Sequence, residues 1–282
     1  MYLPSILHLI LFICVVLIIA RPQLKNHNDN NDIEGIDIML SVDISTSMLT
    51  QDFKPNRVQA LKAIAKEFIS KRPNDNIGLT IFAGEAFTQC PLTTNHDVLI
   101  SLYDAIDDEM ALSTTMRQGL IEDGTALGDG IMNSLLRLRE SKTKSKVIIL
   151  LTDGVNNCGN VSPLTAAMVA KKYNVRIYTI GIGRNGYAPF PTGNGSTTML
   201  PVEIDENTMK QISEETGGKY FRAQENQELS QIYNEIDQLE RTKLSSSLIN
   251  KHKEIYEPFA VVAFIALFLE LLLNTLIIRR IP

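Results

Sequence analysis

A chain of 282 residues, 44% of them hydrophobic, is long enough for one domain with a substantial core plus extensions. Its 27 Lys and Arg against 32 Asp and Glu give a formal net charge of -5, which argues against a nucleic-acid partner, since that would favour a basic patch. Apolar content is uneven and peaks at the two ends.

Leu3 to Ala20 is an uncharged run about long enough to cross a bilayer core. It has no basic segment before it and no small-x-small site before Arg21-Pro22, so we read residues 1–21 as a retained transmembrane helix rather than a cleaved signal peptide. Residues 22–34, with Asn26 to Asp32 rich in Asn and Asp, form a polar tether too hydrophilic to pack a core. From Gly35 strand-like and helix-like segments alternate. That order predicts an α/β domain over 35–240, with a Rossmann-like, doubly wound, mostly parallel sheet.

The first strand, Ile36 to Val42, ends in Asp43-Ile44-Ser45-Thr46-Ser47. One carboxylate and two hydroxyls on alternate positions are hard oxygen ligands that suit a small divalent cation such as Mg²⁺, although Asp and Ser after a strand also serve as turn or cap residues. A helix is expected from about Pro55-Asn56, with Val58, Leu61, Ile64, Ala65 and Phe68 on one stripe, stopping before Arg72-Pro73. Ile77 to Phe82 is the next strand, Ala86 to Cys90 an edge partner, and Asp97 to Ile106 a short helix. Asp123-Gly124-Thr125 reads as a loop delivering Thr125 to a helix with Leu127, Ile131, Leu135 and Leu138 on one face; Thr125 either caps that helix or adds a hydroxyl ligand. Val147 to Leu151 is the unbroken apolar run of a strand buried on both faces, and it places Asp153 at a strand's carboxyl end as Asp43 is.

Ser162-Pro163 opens a helix through Lys172, Val175 to Ile180 is a strand, Asp205 caps a helix ending at Gly217-Gly218, and Leu229, Ile232, Tyr233, Ile236 and Leu239 mark a last amphipathic helix. Residues 241–257 form a juxtamembrane segment and 258–279 a second transmembrane helix ending at Arg279-Arg280. Within it Glu270 and Asn274 share a face, at about the depth of His8 in an antiparallel first span. That face is expected to meet His8 or a partner's helix. Charge counting leaves the orientation nearly neutral, because Arg21, Lys25, Lys251 and Lys253 lie on the domain side.

Gly181-Ile182-Gly183-Arg184-Asn185-Gly186 fits a nucleotide-binding fingerprint, but the proline-containing stretch after it cannot open the required helix. Gly124 to Gly128 lacks the Lys of a P-loop. A metal-dependent hydrolase using Ser45 or Ser47 is the alternative class; the four histidines, His8, His27, His96 and His252, offer it no well-placed base. Cys14 reads as an apolar filler, whereas Cys90 and Cys158 form a disulfide only if their Cα atoms come within ~7 Å.

With D-x-S-x-S, a downstream Gly-Thr and a strand ending in Thr152-Asp153-Gly154, the chain resembles the von Willebrand factor A family, where this pattern is the metal-ion-dependent adhesion site. The resemblance implies hydroxyl ligands at Ser45, Ser47 and Thr125, with Asp43 and Asp153 binding Mg²⁺ or Mn²⁺ directly or through water. Ala20 to Gln23, Asp52 to Arg57, Phe82 to Thr93 and Pro201 to Glu206 look like the Bat-type membrane proteins associated with aerotolerance. That likeness implies a bacterial inner-membrane protein with this domain on the periplasmic face. It also implies no catalysis and a partner protein, such as another Bat-type protein, that supplies an acidic ligand to the metal.

Overall fold

The computed structural model describes residues 3–20, 23–24, 35–106, 124–143, 145–191, 196–249, 253–254 and 257–276. Asp123, most of the expected tether, Arg279 and Arg280, and the side chains of His8, Glu270 and Asn274 lie outside that description. The chain divides into two compact units, one of Met1–Asp32 with Lys243–Pro282 and one of Ile33–Thr242.

In the first unit, α1 (Leu3–Ala20) packs on α8 (Glu257–Leu276), and the two-residue strands β1 (Gln23–Leu24) and β10 (Lys253–Glu254) pair antiparallel. Cys14, Ala263 and Ala266 are its buried small side chains, while Phe12, Ile19, Phe264 and Phe268 are exposed. Small residues let two helix backbones approach closely, so the large apolar side chains point outward. Among the described residues no helix is long and apolar enough to cross a membrane.

The second unit is built on β2 (Asp37–Asp43), which is buried along its whole length and paired in parallel with β3 (Asn76–Phe82) on one side and β5 (Lys146–Thr152) on the other. Beyond β3 lies the antiparallel edge strand β4 (Ala86–Thr93); beyond β5 lie the parallel strands β6 (Val175–Ile182) and β9 (Tyr220–Ala223). The sheet order is β4-β3-β2-β5-β6-β9. The chain therefore winds outward in one direction from β2 and in the other from β5, and the crevice at their carboxyl ends is where such sheets hold ligands. One face carries α4 (Leu127–Arg139), α5 (Pro163–Lys172) and α6 (Glu206–Thr216), whose Leu127, Ile131, Leu135, Ala166, Ala167 and Ile212 join Met39, Ile148 and Leu150 in the core. Elsewhere α2 (Arg57–Ser70) and α7 (Asn226–Ile249) meet through Phe68 and Tyr233, with ring centroids 4.7 Å apart, and α3 (His96–Asp104) packs on α2.

The caps explain the helix boundaries. Asn56, Asn95, Ser162 and Asp205 each accept a bond from a backbone N–H of the first turn, and Gly217 ends α6 at φ 72°. His96 opens α3 one residue earlier than expected, and its ring nitrogen lies 3.0 Å from the Asp75 carbonyl, at the amino end of β3. Three features escaped the sequence: the short pair of β1 and β10, the strand β9, and the ribbon of β7 (Gly186–Pro191) and β8 (Thr197–Val202). Cys90 and Cys158 are thiols and are not joined to each other.

Glu240 on α7 is buried at the amino ends of β5 and β6, where Ser145, Tyr178 and Arg176 all donate to its carboxylate, at 2.9 Å from Ser145 Oγ and 2.5 Å from Tyr178 Oη. Burial alone would raise this carboxyl. The hydrogen bonds from Arg176, Tyr178 and Ser145, with the Arg176 charge, outweigh it and hold Glu240 below its ordinary value.

Candidate metal centre

β2 delivers Asp43 to the carboxyl end of the sheet, fully buried, and the chain then turns into a short 3-10 turn, Thr46–Leu49. The turn is set by Asp43 itself, whose Oδ1 accepts the Ser45 N–H at 2.8 Å. Its other oxygen, Oδ2, accepts the Thr152 hydroxyl at 2.6 Å from the neighbouring strand β5. Asp43 is thus fixed by both strands that flank the crevice. Ser45 Oγ and Ser47 Oγ lie 2.9 Å apart, and Ser47 Oγ donates to Asp153 Oδ1 at 2.7 Å. Four of the five expected site residues therefore form one connected cluster, although they span 110 positions of sequence.

Thr125, the fifth, is buried beside Gly154, where a β-carbon at position 154 would come within 3.1 Å of Thr125 Oγ1. It does not cap α4. The N-cap is Ala126 with no side-chain bond, and the exposed amides are satisfied from across the loop: Asn157 Oδ1 accepts the Thr125 N–H at 2.8 Å and Asn156 Oδ1 the Leu127 N–H at 2.9 Å. Asp129 ties the same loop down by accepting the Asn160 and Val161 amides at 2.9 and 3.0 Å. The Thr125 hydroxyl is left free of the cap role.

The start of α4 sits hard against this loop, since a β-carbon on Gly128 would fall 1.9 Å from the Val161 carbonyl oxygen. Gly128→Ala must push helix and loop apart. We expect it to cost about 1–3 kcal/mol of stability, near the upper end because the obstacle is backbone, and to weaken metal-dependent stabilisation by displacing Thr125. Thermal melting with and without Mg²⁺ measures both effects.

Burial and the nearby Asp153 charge push the Asp43 carboxyl up to about 7, against the lowering bonds from Ser45 and Thr152. Asp153 is raised as well, by burial first, with Arg57 and Ser47 opposing. Two buried carboxylates that resist sharing negative charge, surrounded by hydroxyls, are the donor set a hard divalent cation relieves. Among the described residues no group of three or more His, Cys, Asp or Glu is placed to hold a metal, so hydroxyls must complete any coordination here.

One member of the site was missed. Arg57, the first residue of α2, is wholly buried and reaches into the cluster, where Nη1 donates to Asp153 Oδ2. Asp52 holds the same guanidinium in a fork, Nε to Oδ1 at 2.7 Å and Nη2 to Oδ2 at 2.5 Å. Asp52 and Arg57 stand out in sequence only as part of the Bat-type segment; an Arg at a helix start reads as a solvated residue.

Residues 37–235 match the von Willebrand factor type A domain, and the chain belongs to that family. It is similar to BatB from Bacteroides thetaiotaomicron, at 25% identity and a TM-score of 0.62, over 73% of this chain and 100% of that one. An aerotolerance-related membrane protein from Bacteroides fragilis is 26% identical with a TM-score of 0.60, over 71% and 98% of the two chains. An uncharacterised protein of Borreliella burgdorferi is 28% identical over 272 residues, 95% of this chain and 77% of its own.

Proposed function

We propose that the chain is a membrane-anchored interaction module that captures a partner protein through a divalent cation, Mg²⁺ or Mn²⁺, held by Asp43, Ser45, Ser47, Thr125 and Asp153. The observation that carries this is the linked cluster of two buried carboxylates and two serine hydroxyls, with Thr125 beside it, at the crevice between β2 and β5. A cation bound mainly by neutral hydroxyls keeps much of its charge, so it attracts a further carboxylate. An Asp or Glu of the partner supplies that group. The resemblance to Bat-type proteins favours a second Bat-type membrane protein as the partner.

The anchor is assigned to the two ends of the chain. Its support is the exposed apolar surface of α1 and α8, including Phe12, Ile19, Phe264 and Phe268, which water would not tolerate as a contiguous face. With the similarity to a protein described as a membrane protein, this favours a membrane location, and the Bat-type resemblance favours a bacterial inner membrane with the domain on the periplasmic side.

The test is capture of a co-expressed Bat-type protein by the full chain in Mg²⁺, in EDTA, and with Asp43→Ala. Retention only by the wild type in Mg²⁺ is expected; equal retention in all three arms would refute metal-dependent capture. Ester, peptide or phosphate hydrolysis that depends on Ser45 or Ser47 would favour the hydrolase instead.

A further inference from the structure

The metal-site proposal leaves Arg57 without a role, although it is among the largest fully buried side chains in the protein. Its position is built from several directions. Asp52 grips Nε and Nη2, the Arg57 amide bonds the Thr50 carbonyl at 3.3 Å, and Gly183 clears the space for the guanidinium. Gly183 has φ +108°, and a β-carbon there would lie 2.3 Å from Arg57 Nη2. The remaining donor, Nη1, is thereby aimed at Asp153 Oδ2, while Ser47 holds Oδ1. A positive charge is thus fixed against one of the two carboxylates on which any cation at this site depends.

We propose that Arg57 is a positioning residue that shares Asp153 with the divalent cation, keeping the site a weak metal binder until an acidic group from the partner joins it. This rests on the metal-site proposal above. With Oδ2 committed to a guanidinium, Asp153 offers the cation only part of its charge, and Arg57 repels the cation directly. Asp43 is then the one carboxylate not paired with a cationic side chain in the cluster. The cation is left short of negative charge, a deficit that an incoming Asp or Glu fills. Metal and partner accordingly bind with positive coupling, each raising the affinity of the other.

Mn²⁺ binding to the full chain, read from the paramagnetic signal of free Mn²⁺, tests this with and without acetate as a carboxylate probe. In wild type, weak Mn²⁺ binding strengthened by acetate is expected. Arg57→Gln should bind Mn²⁺ alone about tenfold more tightly, the scale of one partly screened charge at close range, and gain less from acetate. Because that variant leaves Asp52 without its counter-ion and can fail to fold, the double variant Asp52→Asn with Arg57→Gln serves as the second arm. It keeps the net charge and removes the unpaired Asp52 charge, leaving Asp153 as the carboxylate released from its guanidinium, and it should also bind Mn²⁺ more tightly than wild type. A folded variant of either kind with unchanged or weaker Mn²⁺ binding overturns the role of Arg57 while the metal site stands. Wild-type chain that binds no Mn²⁺ overturns the metal site, and this role with it.

Discussion

Asp43→Asn is expected to move stability in opposite directions with and without metal. In the metal-free protein the Asp43 carboxyl is held up to about 7, well above its ordinary value. The folded state therefore keeps a proton that the unfolded chain has released, and stability is lost as pH rises from the ordinary carboxylate range through about 7. An asparagine carries no charge to bury, and it can still accept the Ser45 amide and face the Thr152 hydroxyl. At pH 8 and in EDTA the variant should be more stable than wild type by about 1–3 kcal/mol, or roughly 2–10 °C in midpoint for a domain of this size. In saturating Mg²⁺ the order should reverse. The wild type gains about 4.1 kcal/mol at a thousandfold excess over its dissociation constant, more than the metal-free deficit, and the variant gains nothing. The same proton competes with the cation, so metal affinity of the wild type should fall as pH drops below 7. Melting curves at pH 6 and pH 8, each in EDTA and in Mg²⁺, separate these effects; an Mg²⁺ shift that survives in Asp43→Asn would exclude the site.

Glu240→Gln acts at the other end of the sheet and carries the largest expected loss of stability. The substitution keeps the shape but leaves Arg176 facing a neutral amide, and Tyr178 and Ser145 must share what acceptors remain. Breaking one side of a buried ion pair costs about 3–5 kcal/mol, and the lower figure applies because Arg176 retains some contact with water. The pH dependence has the opposite sign to that of Asp43. Since Glu240 is held below its ordinary value, its contribution is complete above that value and is lost as pH falls through the lowered one. Wild type should therefore lose stability in acid over this range, and Glu240→Gln should show a flatter acid limb together with its lower midpoint. Urea unfolding at neutral pH and at pH 4 measures both, and an unchanged midpoint at neutral pH would show that the buried cluster contributes nothing.

The parts of the fold legible in sequence were those with a single physical cause. Val147 to Leu151 has the unbroken apolar run expected of a strand buried on both faces, and Ser162-Pro163 the cap and first-turn pair that opens a helix. The ribbon of β7 and β8 was hidden because Pro189, Pro191 and Pro201 argue against strand. All three fall in alternate cross-strand pairs, Tyr187 with Pro201, Pro189 with Met199 and Pro191 with Thr197. These are pairs of one type, in which the backbone N–H points away from the partner strand, so the ladder loses no donor. The outward Pro189 carbonyl instead accepts the Gln51 amide at 2.9 Å, which joins the ribbon to the loop after the 3-10 turn.

The candidate site shows the same division. Asp43, Ser45, Ser47 and Asp153 could be grouped in sequence only because two distant strands both end in hard oxygen donors, since Asp and Ser after a single strand also serve as turn or cap residues, whereas Thr125 stood equally for a cap. The structure excludes the cap through Asn156 and Asn157, which take over the capping from a loop 29 and 32 residues away. Arg57 was noted only within the Asp52 to Arg57 segment, and its place in the site was hidden for a different reason. Its burial depends on Asp52, Gly183 and Asp153 converging from three segments, and no local pattern records such a convergence.

The two rims of the sheet have a consequence for how the protein behaves in a crowd. β4 carries Pro91 and breaks its register twice against β3, and β9 offers only four residues. Neither rim presents the long, flat row of open amides and carbonyls that lets one sheet grow onto another. Both rims of this sheet are thus poor templates for edge-to-edge pairing between copies.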